Sequence, residues 1–268
     1  MEYFKNFQKL NYLYGNEPVP IITQNLSRYV DIIDQVKDDI SFLTYYNIKE
    51  GYRPDQVSIE LYDTPLHYWT FYLLNDNIRQ QGWPLVNLEF QTYIKKIFPN
   101  TVLTTRENIS TKFKVGQTVT GNTSGVSGKI IRRNLDLGQV IIEGNVSFTT
   151  SGETVTSTNS SGVAESIVIV SASDEHKAAN YYTDTSGGIV DLGVDDDGNL
   201  LAPGALKNEI TNEQAYYNVN ESLRLIKVIR PKLINTLVTS YKKAIREWCV
   251  WICNWYPNRL SNNICGYN

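Results

Sequence analysis

Between Ile22 and Ile40, apolar residues recur at spacings of three and four (Leu26, Tyr29, Val30, Ile33, Val36, Ile40), with Asp31, Asp34 and Asp38 between them. That period predicts an amphipathic helix, although its first turn fits an extended run equally well. Phe42 to Ile48 is dense in aromatic and β-branched residues and stops at Glu50-Gly51, the pattern of a strand with a turn after it. Arg53-Pro54-Asp55 then places proline at a first helical position, followed by Val57, Ile59, Leu61 and Tyr62 and a break at Asp63-Thr64-Pro65, so one short helix is expected. Pro65 opens a second, lined by Leu66, Trp69, Tyr72 and Leu73 and ended by Asn75-Asp76-Asn77, and a third runs from Leu85 to Ile97 after Gly82-Trp83-Pro84.

Near Thr105 the texture changes. From Phe113 to Val170 the chain is rich in Thr, Ser, Gly, Val and Ile, alternates over short runs and is cut by glycine-containing turns, which marks a separate all-β module over residues 105–175. The module repeats itself: Gly116-Gln117-Thr118-Val119-Thr120 with Ser124-Gly125-Val126 returns as Gly152-Glu153-Thr154-Val155-Thr156 with Ser161-Gly162-Val163. Two copies predict a pseudo-symmetric small barrel or sandwich, because a solenoid needs about three.

Past the module, His176 to Thr183 and Gly188 to Leu192 flank Asp184-Thr185-Ser186-Gly187 as a hairpin would, and Asp196-Asp197-Gly198-Asn199 marks a second turn. Leu223 to Ile229 alternates like a strand. Pro231 starts a helix with Ile234, Leu237, Val238, Tyr241, Ile245 and Trp248 on one stripe, before a dense patch of Trp and Cys and a polar end.

Composition narrows the chemistry. With 25 Lys+Arg against 28 Asp+Glu and a formal net charge of -3, the chain lacks the cationic excess that a phosphate backbone requires, so no nucleic-acid partner is expected. Met1 to Phe7 carries charge where a signal peptide needs an apolar core, and no uncharged run is long enough for a bilayer, so a cytoplasmic origin and no membrane are expected. The three cysteines, Cys249, Cys253 and Cys265, have no histidine near them in sequence, so neither a disulfide framework nor a metal site is predicted. Histidine is confined to His67 and His176, read respectively as a partly buried hydrogen-bonded ring and an exposed linker residue. Gly128-Lys129 resembles the end of a phosphate loop, but Thr123 replaces the first glycine and Ile130 the magnesium-binding hydroxyl, so a hairpin turn is expected there. The Asp196-Asp197-Gly198-Asn199 cluster fails calcium-loop spacing, with Gly193 where the first Asp should be, and Asp38-Asp39 point in different directions on a helix. No catalytic residue, small-molecule substrate or cofactor is predicted, and an excess of aromatic residues, 18 Tyr and 5 Trp, hints at surfaces buried against other proteins.

The ordered series Tyr45-Tyr46-x-Ile48, Arg53-Pro54-Asp55, Ile59-x-Leu61-Tyr62, Tyr68-Trp69, Asn75-Asp76-Asn77 and Gly82-Trp83 resembles the baseplate wedge protein 53 family of T4-type contractile-tailed phages, and Glu221 to Ile229 is similar to that family's ending. The resemblance covers residues 1–104 and 176–246. It implies an α+β fold: a small LysM-like core with flanking helices, interrupted by the all-β insertion, the core's first strand at Phe42 to Ile48 and its closing strand near His176 to Thr183. The domain map is then 1–104 for the N-terminal segment and first part of the core, 105–175 for the insertion, 176–247 for the closing strands and C-terminal helix, and 248–268 for an aromatic and Cys-rich tail. Functionally it implies a non-enzymatic virion component of the tail baseplate, assembled in the host cytoplasm, that clamps wedge subunits together and contacts the adjacent wedge. A glycan-binding LysM module and a cell-wall hydrolase are the alternatives. On side-chain type and position, Arg53, Trp69, Trp83, Tyr241 and Trp248 are the expected interface residues, with Arg53, Trp83, Tyr241 and Trp248 at least partly free in the isolated chain.

Overall fold

The computed structural model describes residues 9–12, 19, 21–24, 37 and 39–255, apart from the side chains of Leu10, Tyr12 and residues 246–255. The chain is α+β and divides into two compact units, one of residues 1–84 with 221–268 and the other of residues 85–220.

In the first unit, β1 (Lys9–Tyr12) and β2 (Ile21–Gln24) form an antiparallel hairpin. Ile21–Gln24 therefore takes the extended alternative, and the remainder of the helix expected to Ile40 falls largely outside the described residues. The centre of the unit is an antiparallel pair of β3 (Leu43–Asn47) and β13 (Leu225–Ile229), in register from Leu43↔Ile229 to Asn47↔Leu225. Between them in sequence lie α1 (Pro54–Tyr62), a 3-10 turn (Pro65–His67), α2 (Trp69–Leu74) and α3 (Asp76–Gln81). Each boundary has a local cause. The Arg53 backbone N–H donates to the Gln56 side chain at 2.9 Å with Pro54 in the first turn, and Asp63 closes α1 in the left-handed region, its N–H donating to Ile59 O. Thr64 then caps the next turn by accepting from Leu66 N.

Two expectations change here. The partner of β3 is β13, not the segment His176 to Thr183, because the alternating Ile226 and Val228 bury completely against the helices while that segment pairs elsewhere. Asn75 does break the helix, but a further helix follows it, since its extended backbone merely turns the chain so that its amide can reach Lys227. A 3-10 turn (Pro231–Leu233) leads into α6 (Ile234–Trp255), whose Ile234, Val238, Tyr241 and Ile245 complete the core with Val57, Phe71 and Ile78.

The second unit begins with α4 (Asn87–Ile97) and is dominated by a closed six-stranded barrel in the order β4-β7-β6-β5-β8-β9. Its strands are β4 (Thr101–Thr105), β5 (Thr118–Gly121), β6 (Ser127–Asn134), β7 (Gln139–Ile142), β8 (Thr154–Thr158) and β9 (Ala164–Asp174). Leu103, Phe113, Val119, Ile130, Val140, Val155 and Ile167 fill it. A two-fold relation exchanges β5 with β8, β6 with β9 and β7 with β4, which is the sequence repeat made structural. Gly116 and Gly152 occupy equivalent positive-φ positions, donating to Ile130 O and Ile169 O. Gly128-Lys129 lies inside β6 and is not a turn; a Cβ on Gly128 would come within 2.3 Å of Ile142 Cγ2, so the glycine is needed for barrel packing.

His176 is a second correction in this unit. With Glu175 it sits in a buried 3-10 turn after β9, where Glu175 accepts from Asn100 and pairs with Arg132, so the expected exposed linker is a packed corner. Beyond it β10 (Ala179–Thr183) pairs with β11 (Ile189–Val190) across the expected hairpin turn and with β12 (Asn208–Thr211). Asp184 and Asp195 each accept backbone N–H groups of their own turns, which gives these acidic positions a local structural use. A helix not expected from the sequence pattern, α5 (Asn212–Ser222), follows, and its Tyr216 and Tyr217 meet Phe98 and Phe90 edge-on. The ends of the unit are clasped together: Asn220 Oδ1 accepts from Leu85 N at 2.8 Å and its Nδ2 donates to Leu85 O at 3.1 Å.

Candidate interaction surface

All five expected interface residues belong to the first unit. Arg53, at the start of α1, keeps 72% of its side chain exposed and is held by Asp55 through Nε at 3.0 Å and Nη2 at 2.5 Å. That pair leaves the planar face of an exposed cation open, and such a face suits an aromatic ring. Trp83 is half-buried. Its Nε1 donates to Tyr52 O at 2.7 Å, and its ring lies 5.9 Å from Tyr72 and 6.2 Å from Phe71. Because Tyr52 is also under the Lys49 ammonium, at 5.2 Å, the loop from Asn47 to Arg53 is tied to Trp83 and to Glu60, which accepts from both Lys49 and Tyr46. The Lys49 ammonium lowers the Glu60 carboxyl below its ordinary value, so the cluster stays charged near neutrality.

Trp69 and Tyr241 are placed otherwise. They are 6% and 3% exposed and face each other at 5.3 Å between ring centroids, inside the core. Tyr241 is thus buried where a partly free side chain was expected, because the 3-4 spacing that runs from Ile234 to Ile245 turns it toward α2 and not outward. Trp248 is on α6, with its side chain outside the described residues. The structure therefore brings Arg53 and Trp83 into one region through the Tyr52 loop and withdraws Trp69 and Tyr241 from it.

Polar residues at element boundaries hold this region in place. Asn75, 7% exposed, accepts from Lys227 N at 2.7 Å and donates from Nδ2 to Lys227 O and to Phe71 O, both at 2.8 Å. Its amide thereby acts as a one-residue strand along the free edge of β13. Tyr62 donates its hydroxyl to Ile229 O at 3.0 Å, and burial pushes that hydroxyl's pKa far up, fixing it as a donor. Arg224, 9% exposed, pairs with Glu221 and Glu50, while its carbonyl accepts from Ile48 N. A polar residue within an otherwise apolar run was the available signal for Arg224; Asn75, at the head of the polar run Asn75-Asp76-Asn77, carried none.

His67 packs edge-on to Tyr62 at 6.0 Å; burial, with the Lys242 charge, holds its pKa below the ordinary imidazole value, against a raising hydrogen bond from Asn235. Its Nδ1 lacks a hydrogen-bond partner among the described residues. No group of three or more His, Cys, Asp or Glu side chains that could hold a metal occurs among the described residues, and none of the described helices is long and apolar enough to cross a membrane.

Residues 2–104 match the family model of base plate wedge protein 53. The match supports the identification reached from the motif series, and with it a structural role in the virion, in the baseplate of a phage tail. It contains β3, α1 to α4 and β4 as far as Thr104, and hence Arg53, Trp69, Trp83 and Asn75. No curated protein matches the chain.

Proposed function

We propose, from the base plate wedge protein 53 match over residues 2–104, that the chain clamps wedge subunits together and links neighbouring wedges, assembling with them in the host cytoplasm. The observation that carries the reading is that match. The exposed Arg53–Asp55 pair and the anchored, half-buried Trp83 in the matched segment support it. Arginine and tryptophan are the side chains that concentrate binding energy, because each removes a large area from water at modest entropic cost. Trp69 and Tyr241 contribute from beneath, by stiffening α2 and α6, and Trp248 stays in the proposal as a position on α6.

The decisive experiment is co-purification of the chain with the other wedge subunits expressed together. Arg53→Ala leaves an exposed position and should fold normally, yet reduce recovery in the wedge as a loss of about 2 kcal/mol would, roughly thirtyfold in affinity. Normal recovery of both Arg53→Ala and Trp83→Ala removes this surface from the clamp.

A further inference from the structure

The two edges of the β3–β13 sheet are treated differently. On β13, Lys227 N donates to Asn75, Lys227 O accepts from it, and Ile229 O accepts from Tyr62, so side chains stand where a further strand would lie. On β3, Ile48 N donates to Arg224 O and Phe42 O accepts from Arg230 N. In that register Thr44 and Tyr46 bond toward β13, and the backbone groups of Leu43, Tyr45 and Asn47 point the other way. Arg230 Nε donates to Leu43 O at 3.1 Å, but the N–H and C=O groups of Tyr45 and Asn47 have no hydrogen-bond partner among the described residues. Side chains repeat the contrast: Tyr46 is half-buried against the core, whereas Tyr45, on the opposite face, is 66% exposed.

The same unit holds a strand with the opposite deficiency. β1 and β2 form a sheet of two strands that is joined to no other strand among the described residues. A hairpin of that size is marginal in water unless a third strand or a packing surface supports it. All four residues of β2 are nevertheless exposed, Ile21 at 48% and Ile22 at 66%. As neighbours on a strand, these two isoleucines point to opposite faces, so a flat surface covers one of them and leaves the other in water. Incorporation into a larger sheet shelters both.

We infer that β2 of one copy adds to β3 of a second copy, giving a sheet in the order β1-β2-β3-β13. The added strand meets the backbone groups of Tyr45 and Asn47, and the adjacent Ile21-Ile22 comes beside the adjacent Tyr45-Tyr46, one β-branched residue against one aromatic on each face. The occupant is a second copy because both halves of the contact belong to this chain, while its own hairpin forms a sheet apart from its own β3. Residues 25–42 separate β2 from β3, a length that reaches at most roughly 60 Å when extended, so a hairpin can serve a neighbouring molecule. The contact involves neither Arg53 nor Trp83 and does not depend on the clamp.

The test is sedimentation equilibrium of the full chain at concentrations up to about 100 μM, where the wild-type chain should self-associate. Ile21→Asp combined with Ile22→Asp spoils the donor strand alone. Asn47→Pro spoils the acceptor edge alone, since the N–H it removes points away from β13 and the existing ladder is kept. Each should weaken association roughly tenfold or more while leaving the urea transition of tryptophan fluorescence in place; should proline shift that transition, Tyr45→Lys takes its place as the edge variant. An equimolar mixture of the donor and acceptor variants should form heterodimers, because each keeps the half that the other lacks. A wild-type chain that stays monomeric, association that survives both variants, or a mixture that fails to associate overturns the inference. Recovery of the chain with wedge subunits is a separate readout, so the clamp stands or falls independently.

Discussion

Asn75 offers the sharpest test of how the first unit is held together. Asn75→Ala removes three hydrogen bonds, but the three do not count equally. Phe71 O retains a bond from the Asn75 backbone N–H at 3.1 Å, whereas Lys227 N and Lys227 O lose the groups that satisfy the free edge of β13. Two partly buried backbone groups left without partners cost about 1–3 kcal/mol each, lowered where water can follow, so about 2–4 kcal/mol is expected. That is a large share of the roughly 5–15 kcal/mol by which a domain is stable. All the tryptophans, Trp69, Trp83, Trp248, Trp251 and Trp255, belong to the first unit, so tryptophan fluorescence in urea reports on it without interference from the barrel. With a slope of about 2 kcal/mol/M the midpoint should fall by about 1–2 M. Asn75→Asp is a second arm: it keeps the acceptor for Lys227 N but sets a carboxylate oxygen against two carbonyls, so it should be at least as damaging as alanine at neutral pH and recover partly on acidification. A loss below about 0.5 kcal/mol for Asn75→Ala, the level of an ordinary surface change, refutes the edge-strand role.

Glu153 gives a pH dependence. Its burial alone would raise its pKa, but the N–H groups of Ser124, Thr149 and Thr123 outweigh that and hold it below the ordinary carboxylate value. The stability it adds is therefore complete above the unfolded-chain pKa, about 4.3, and is lost as the pH falls through the lower folded value; amide exchange at Ser124 and Thr149 should accelerate over that range, and Glu153→Gln should accelerate it at neutral pH and flatten the pH profile. Replacing Leu85 to Asn220 by a short Gly/Ser linker should leave cooperative tryptophan-monitored unfolding, because the Asn220 clasp shows that the two ends already meet. A broad, non-cooperative transition would refute the division into units.

The local elements were legible because local chemistry decides them. Pro54 after Arg53, the run from Leu43 to Asn47, the turn at Asp184 to Gly187 and the alternation from Leu225 to Ile229 each carry their own start and stop, and each forms where the pattern places it. What could not be read was pairing across long separations. Nothing in the strand-like segment at Ala179 to Thr183 distinguishes it from Leu225 to Ile229 as the partner of β3; that choice is made by the helices, which bury Ile226 and Val228 fully, and by Asn75, 152 residues away from Lys227. His176 and Glu175 read as polar linker for the same reason, since burial comes from Asn100 and Arg132, which are remote in sequence. For the expected interface residues, type does not report depth: tryptophan and tyrosine serve cores and interfaces alike, and only packing separates the half-buried Trp83 from the buried Trp69.

The same reasoning explains where the β module really starts. Composition changes near Thr105, yet Thr101–Thr105 is itself a barrel strand, fully buried and bonded on one side to β7 and on the other to β9. By the two-fold relation it supplies the third strand of the second repeat, which the chain lays down before the first repeat begins. The repeat is thus circularly permuted, and a search for whole copies in sequence order finds only the two hairpins. Removing residues 105–175 alone would strip β4 of both neighbours and leave a buried pentapeptide with two unpaired edges, a predicted aggregation site. Since residues 2–104 match the base plate wedge protein 53 family and include β4 from Thr101 to Thr104, the barrel is not a cassette dropped in after a complete domain; all but the last residue of its closing strand belongs to the matched segment, and any excision that respects the hydrogen bonds has to begin upstream of it, at Leu85.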